Sequence, residues 1–423
     1  MAPASPRTGA WLWLLVAAAT LSQTALNLVR PVTTYKLLAL GADAVTVGLV
    51  TAAYAVLPLI TAMWLGRTTD RVRELRRMVV VGAVVLALGA LALDLAATAA
   101  LVALASAVLG MGHLLFTIAG QAAIARHSPD DQLDKGFGWF TAAFSAGQLA
   151  GPLLAGLLLG TGSAVASPER LADIRTALWL GAGLSLLAVP VLLVRARTPR
   201  RRPRDDDAAG AASTAAAGQQ PATGEVETVP EPLPRASMLR ILRVPGVPSH
   251  MLAALSLLAM LDILTAFLPL VGERAGVPPA WIGALLAVRG GASILSRVFL
   301  PWLAHRFSRR SLLLVSLYGS GIALALPPLV ITVPWLAAVL LFAGGFCLGL
   351  GQPLTMTLIS TSVPASWRGS ALAVRLVGNR VGQVAMPLLA GLVAAPLGPA
   401  GAIWSTCAVL VGSGLEKTLR RRS

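Results

Sequence analysis

Charge is scarce in this sequence. Only 12% of its 423 residues are Asp, Glu, Lys or Arg, 56% are hydrophobic, and the mean hydropathy is +0.76. Soluble domains carry about 25% charged residues, so much of the apolar surface here has to face something other than water, and lipid is the fitting solvent. Cysteine is nearly absent. Cys347 and Cys407 both lie inside apolar runs, which argues against a disulfide framework and a zinc site. Aromatic residues make up only 5%, too few for a large aromatic box around a ligand. The sequence also lacks a G-x-x-x-x-G-K-[ST] phosphate loop, a zinc-binding helix motif and a G-x-S-x-G nucleophile elbow. It gives no support to ATP hydrolysis or enzyme chemistry, and no cofactor is expected. Acids are scarcer than bases, 18 against 34. Such an excess fits nucleic-acid binding in general, but here the bases punctuate apolar runs and form no basic domain. Nucleic acid is therefore not an expected partner.

What is present is a series of apolar stretches. Twelve can be drawn, at 10–30, 44–66, 78–97, 99–124, 137–160, 174–194, 248–271, 280–302, 311–331, 334–361, 369–394 and 397–416. Each is long enough to cross the ~30 Å hydrocarbon layer as a helix. With the N-terminus inside the cell, 25 of the 34 Lys and Arg fall on cytoplasmic segments and four outside (Lys36, Arg170, Arg175 and Arg274). That asymmetry predicts a multi-pass protein of the cytoplasmic (inner) membrane with both termini in the cytoplasm. The run after Arg7 resembles a cleavable signal peptide, but it stays apolar to Val29, beyond what such a signal needs. Residues 195–247 open with "RARTPRRRPRDDD" and continue in Ala, Pro and Gly. They cannot bury a core and are expected to form a flexible cytoplasmic linker. The domain boundaries follow: a six-helix half over 1–194, the linker, and a second six-helix half over 248–423.

The halves repeat one another. "GQLAGPLLAGL" from Gly147 returns as "GQVAMPLLAGL" from Gly382, an offset of 235 residues. At the same offset Gly66, Asp70 and Arg71 stand opposite Pro301, His305 and Arg306, and Pro129 stands opposite Pro364. The register drifts between these anchors, since "GMG" at 110–112 matches "GLG" at 349–351. Six spans per half is an even number, so both halves begin on the same side as a parallel repeat.

On these features the chain resembles the major facilitator superfamily. The loop after the second span is similar to the family's G-x-x-x-D-R-x-G-[RK]-[RK] signature at Gly66, Asp70 and Arg71, although Arg73 replaces the second glycine. Arg306 stands in the corresponding loop of the second half. The repeated peptide resembles the fifth-helix motif G-x-x-x-G-P-x-x-G-G at Gly147, Gly151, Pro152, Ala155 and Gly156, with Gly382, Pro387 and Gly391 in the second copy. The resemblance implies an all-α membrane protein of twelve transmembrane helices, in two pseudo-symmetric six-helix halves around a central cavity. It also implies gating at these two motifs and alternating access, with the drug and metabolite:proton antiporter branch as the nearest match. One departure counts: where many proton antiporters carry an arginine four residues before the fourth-span G-x-G, this chain has Ser106.

Ionisable groups in hydrocarbon are costly and mark candidate sites. Asp94 and Asp262 are the acids inside the spans, and with His113 they are the proton-coupling candidates. A structural ion pair is the plainer reading for Asp262, and simple packing is the plainer one for His113. Arg289 and Arg380 are deep, Asn27 and Arg30 lie toward the outer end of the first span, and Gln121, Gln352 and Asn379 offer uncharged hydrogen bonds. These seven are the substrate-cavity candidates. The expected function is proton-coupled efflux of a small organic molecule by a monomer embedded in the bilayer. The alternatives are uptake by a symporter or facilitator, and a non-transporting membrane sensor or scaffold.

Overall fold

The computed structural model describes residues 10–72, 74–128, 133–162, 166–194, 238–364 and 367–419, and among them the chain forms helices and no strand. The first six helices are α1 (Ala10–Ala39), α2 (Ala44–Arg71), α3 (Leu75–Leu95), α4 (Ala99–His127), α5 (Leu133–Leu159) and α6 (Pro168–Leu193). A short α7 (Met238–Leu242) leads into α8 (Val247–Arg274), α9 (Pro279–Arg306), α10 (Arg309–Ala325), α11 (Pro334–Thr361), α12 (Arg368–Leu397) and α13 (Pro399–Leu419). Among the described residues, eleven helices are long and apolar enough to cross a membrane. The twelfth expected span, 397–416, coincides with the 21-residue helix α13, which is not among those eleven.

Local chemistry sets the ends. Asp43, Thr98, Ser167 and Ser308 each cap a helix by accepting a backbone N–H in its first turn. Ser167 followed by Pro168 starts α6 one and a half turns before the apolar run begins, so the expected start at residue 174 is too late. In the same way α1 continues through Pro31 to Ala39, nine residues past the expected end. Residues 238–246, expected as linker, are structured. Ile241 of α7 is fully buried against Val247, Met251, Ile359, Val363, Ala371 and Val374, and Gly246 turns the chain with φ 87°, a conformation glycine adopts without steric cost. Residues 195–237 lie outside the described residues.

Two bundles result, α1–α6 and α8–α13, lying side by side along α2 with α12 and α5 with α9. The end where α1 passes into α2 is here the far end, and the end where α6 leaves and α7 returns is the linker end. The bundles touch most closely near the far end, glycine against glycine. A Cβ on Gly283 would lie 2.4 Å from the Pro152 carbonyl oxygen, and one on Gly48 2.6 Å from that of Pro387. Gly156 faces Gly283 and Gly391 faces Gly48, so each copy of the repeated peptide grips a glycine of the opposite bundle. Gly48 and Gly283 are themselves separated by 235 residues. Polar bonds reinforce this seal: Arg170 pairs with Glu273 at 3.7 Å, Thr34 donates to the Ala266 carbonyl at 3.1 Å, and the Ala280 amide donates to the Gly160 carbonyl.

Candidate functional site

Between the bundles, at mid-depth, lies a cavity of about 250 Å³ walled by α1, α2, α4, α5, α8, α9 and α12. Its charged lining groups are Arg30, Asp262, Arg289 and Arg380. Leu376, one turn nearer the linker end than Arg380, lines the cavity and is 60% exposed, so the cavity opens toward that end. At the far end it is shut by the contacts above.

Asp262 joins the two bundles. One carboxylate oxygen accepts from the Arg30 guanidinium at 2.6 Å, and the other accepts from the Gln383 side-chain amide at 2.9 Å. Gln383 accepts in turn from Arg380 at 2.9 Å. On the other side the Arg30 guanidinium sits 4.9 Å from the centre of the Tyr54 ring, an attractive cation–π placement. The Tyr54 hydroxyl meets His113 Nδ1 at 2.6 Å. A continuous polar path thus runs from Arg380 on α12 through Gln383, Asp262, Arg30 and Tyr54 to His113 on α4. Arg289 stands outside it: the residue is 2% exposed, and its Nε and one terminal nitrogen have no hydrogen-bond partner.

Of the residues expected from sequence, Asn27, Arg30, His113, Asp262, Arg289, Asn379 and Arg380 line this cavity. Arg30 is deeper than expected, because α1 extends well beyond it. It is also the ion-pair partner of Asp262, a pairing the sequence left open. Three candidates do not line this cavity in the structure. Asp94 lies in the last turn of α3 at the far end, where Arg175 (3.4 Å) and the Trp179 indole N–H (2.9 Å) hold its carboxylate. Gln121 is exposed. Gln352 accepts from Arg375 at 3.1 Å and does not line the cavity. Tyr54, Gln148 and Gln383 line it and escaped sequence reasoning. The two glutamines are the second letters of the repeated peptides, so the signal was present in the repeat itself.

The gating residues divide by location. Gly147 and Gly151 let α5 approach α1, with added Cβ atoms 2.5 Å and 2.6 Å from Gln23 and Asn27 backbone carbons, and Gly382 lets α12 approach α8 beside Leu255. Pro152, Gly156, Pro387 and Gly391 form the two crossings between bundles. Arg306 is exposed at the end of α9. The side chains of Gly66, Asp70 and Arg71 lie outside the described residues; beside that loop Arg126 donates to the Val72 carbonyl at 2.6 Å.

A multi-pass helical membrane protein with a charged cavity between two bundles has the architecture of a membrane transporter. The family model for the Major Facilitator Superfamily matches residues 12–326 and again 251–419, and the chain belongs to that superfamily. It is 32% identical over 161 residues to a multidrug resistance protein, MdtG, of Yersinia enterocolitica, covering 36% of this chain and 37% of the relative. The corresponding protein of Escherichia coli is 31% identical over 162 residues, covering 36% and 38%. These matches thus span a little over a third of the relatives' length. Among solved structures, a bacterial homologue of the human lysosomal transporter Spinster superposes with a TM-score of 0.72 at 16% identity, over 99% of this chain and 98% of the other. A D-xylose-proton symporter superposes with a TM-score of 0.73 at 14% identity, over 96% and 97%. At such identities the likeness is one of fold.

Proposed function

We propose that this chain is a secondary active transporter of the cytoplasmic membrane that works by alternating access and exports a small organic molecule in exchange for protons. The observation that carries this reading is Asp262. It is the one carboxylate among the described cavity-lining residues, and its ion pair with Arg30 ties α8 of one bundle to α1 of the other. Opening the far end separates those helices and breaks the pair. A protonated Asp262 has no charge to hold Arg30, so a proton taken from the far side stabilises the open state. It is released when the bundles close and the pair re-forms. The Lys and Arg distribution supports a cytoplasmic linker end, which makes the present form closed to the outside. Protons then move inward as cargo moves out. The MdtG relatives favour export over uptake, and one chain encloses the whole cavity, so a monomer suffices.

The test is transport in proteoliposomes with an imposed pH gradient. Asp262→Asn is expected to abolish accumulation against a gradient and to leave downhill exchange measurable. A stable Asp262→Asn protein that still accumulates cargo when a pH difference is imposed would remove Asp262 from the coupling step. Overexpression separates direction: export raises tolerance of a toxic cargo and uptake lowers it.

A further inference from the structure

Resting on the reading of this cavity as the cargo site, we infer that the cargo carries an oxyanion, a carboxylate or a phosphate-type group, which docks on Arg289 and Arg380. Among the described residues, three guanidiniums and one carboxylate line the cavity. Asp262 is committed to Arg30, which leaves two cations without a carboxylate. Arg380 has a neutral amide, Gln383, as its hydrogen-bond partner. Arg289 is 2% exposed with Nε and a terminal nitrogen unpartnered. Buried charge of this kind is costly unless an opposite charge meets it, and deep arginines are met by acids or by anionic substrates. A planar fork of N–H donors also matches the two oxygens of a carboxylate or phosphate.

The stem of Arg289 is fixed, which suits a binding group. Gly345 on α11 packs so closely that a Cβ there would fall 2.6 Å from the Arg289 carbonyl oxygen and 3.0 Å from its Cγ. Ser293, one turn along α9, donates to the Gly345 carbonyl at 2.9 Å. In the same cavity wall the side-chain oxygen of Asn379 is buried and unpartnered, and it accepts a hydroxyl or N–H of the same cargo. The volume of about 250 Å³ falls below the ~300–1,000 Å³ of pockets for drug-sized ligands, so the cargo is small.

The experiment uses the full chain in lipid nanodiscs and four probes on one ring frame: benzoate, phenylphosphonate, benzyl alcohol and benzylammonium. Melting temperature against probe concentration reports binding. Benzoate and phenylphosphonate are expected to stabilise the protein, and which of the two does so more strongly separates carboxylate from phosphate-type cargo. The alcohol and the cation are expected to leave it unchanged. Arg289→Gln and Arg380→Gln should each weaken oxyanion binding by roughly tenfold to a hundredfold, the worth of one or two charge-assisted hydrogen bonds. Arg175→Gln, the same charge change on the far-end surface, should leave it unaltered. Where Arg289→Gln does not fold, Arg289→Lys keeps the charge, loses the fork, and should bind benzoate more weakly than wild type. Stabilisation by benzylammonium but not by benzoate, or benzoate binding indifferent to both arginine variants, overturns the inference. Gradient-driven transport of benzylammonium lost in Asp262→Asn would overturn the oxyanion and leave the transporter reading standing. Oxyanion binding without any gradient-driven transport would do the reverse.

Discussion

The two bundles share one framework and differ in chemistry. Seven cavity-lining positions of the first bundle have a counterpart 235 residues later that lines the same cavity, among them Asn27 and Asp262, Tyr54 and Arg289, Phe144 and Asn379, and Gln148 and Gln383. At three of these four pairs the second bundle carries the more polar group, and at two it carries a charge where the first does not. Arg30 runs the other way, opposite Thr265. Packing positions stay alike: Gly48 meets Gly391 as its counterpart Gly283 meets Gly156, in equivalent crossings. Shape is held in common because both crossings must close together, whereas a binding site needs charge at particular points only. The comparison also locates the exception, since the polar path that crosses the midline depends on Arg30 from the first bundle.

The largest effect is expected from breaking that crossing. Asp262→Ala leaves the partly buried Arg30, its side chain 16% exposed, without a countercharge and should cost about 3 kcal/mol of stability. Adding Arg30→Ala removes the orphaned charge, so the double variant should be more stable than the Asp262→Ala variant, read as detergent-solubilised melting temperature. Strict additivity of the two substitutions would show that the pair is not coupled.

The glycine crossings test the shared framework. Gly48→Ala and Gly283→Ala each drive a Cβ into a backbone carbonyl, at about 1–3 kcal/mol by overpacking. Both should shift the population toward a form open at the far end, and by similar amounts if the crossings are equivalent. Labelling of a cysteine introduced at Thr34 reads the shift, and a rise in one variant but not the other would break the equivalence. The glutamines test the difference. Gln383→Ala removes a hydrogen bond to a buried carboxylate and should cost about 1.5–3 kcal/mol, while Gln148→Ala breaks no side-chain hydrogen bond among the described residues and should be close to neutral.

The smallest effect concerns matching helix starts. Asp43 caps α2 by accepting from the Thr46 amide at 2.9 Å and its hydroxyl at 2.6 Å, whereas the counterpart position, Pro278, offers α9 no side-chain cap. These bonds from the Thr46 hydroxyl and amide hold the Asp43 carboxyl below the usual aspartate range. A depressed folded-state pKa gives stability that is present above the unfolded value and lost as pH falls through the folded one. Asp43→Ala should therefore cost about 1 kcal/mol at neutral pH and nothing in strong acid, while Pro278→Ala should show no such pH dependence.

Much of the architecture was legible because hydrocarbon imposes a coarse rule, a run of apolar residues for each crossing. The repeated peptide added the two-bundle plan. Helix ends were less legible: Ser167–Pro168 extends α6 with a capping signal, and α1 tolerates Pro31 and runs on, which places Arg30 in the cavity wall. Depth alone picked out Asp262, Arg289 and Arg380, which all line the cavity, since a charge at mid-span has few places to go except a cavity. The uncharged candidates divided, with Asn27 and Asn379 on the cavity wall and Gln121 and Gln352 away from it. Gln121 lies eight residues after His113, which rotates it by roughly 80° on the helix, and α4 is too apolar all round for periodicity to reveal which face turns inward. The Arg30–Asp262 pair was not readable from spacing at all, because it depends on how α1 docks against α8 across 232 residues of chain.

The seven matched lining positions have a consequence for how a molecule can lie in the cavity. A site with twofold pseudo-symmetry offers every elongated guest two poses related by a half-turn, nearly equal in shape. Asp262 and Arg289 standing opposite Asn27 and Tyr54 make those poses unequal in charge. If this cavity takes the cargo as proposed, a guest with two unlike ends favours one of the two poses, while for a guest with identical ends the half-turn gives the same pose.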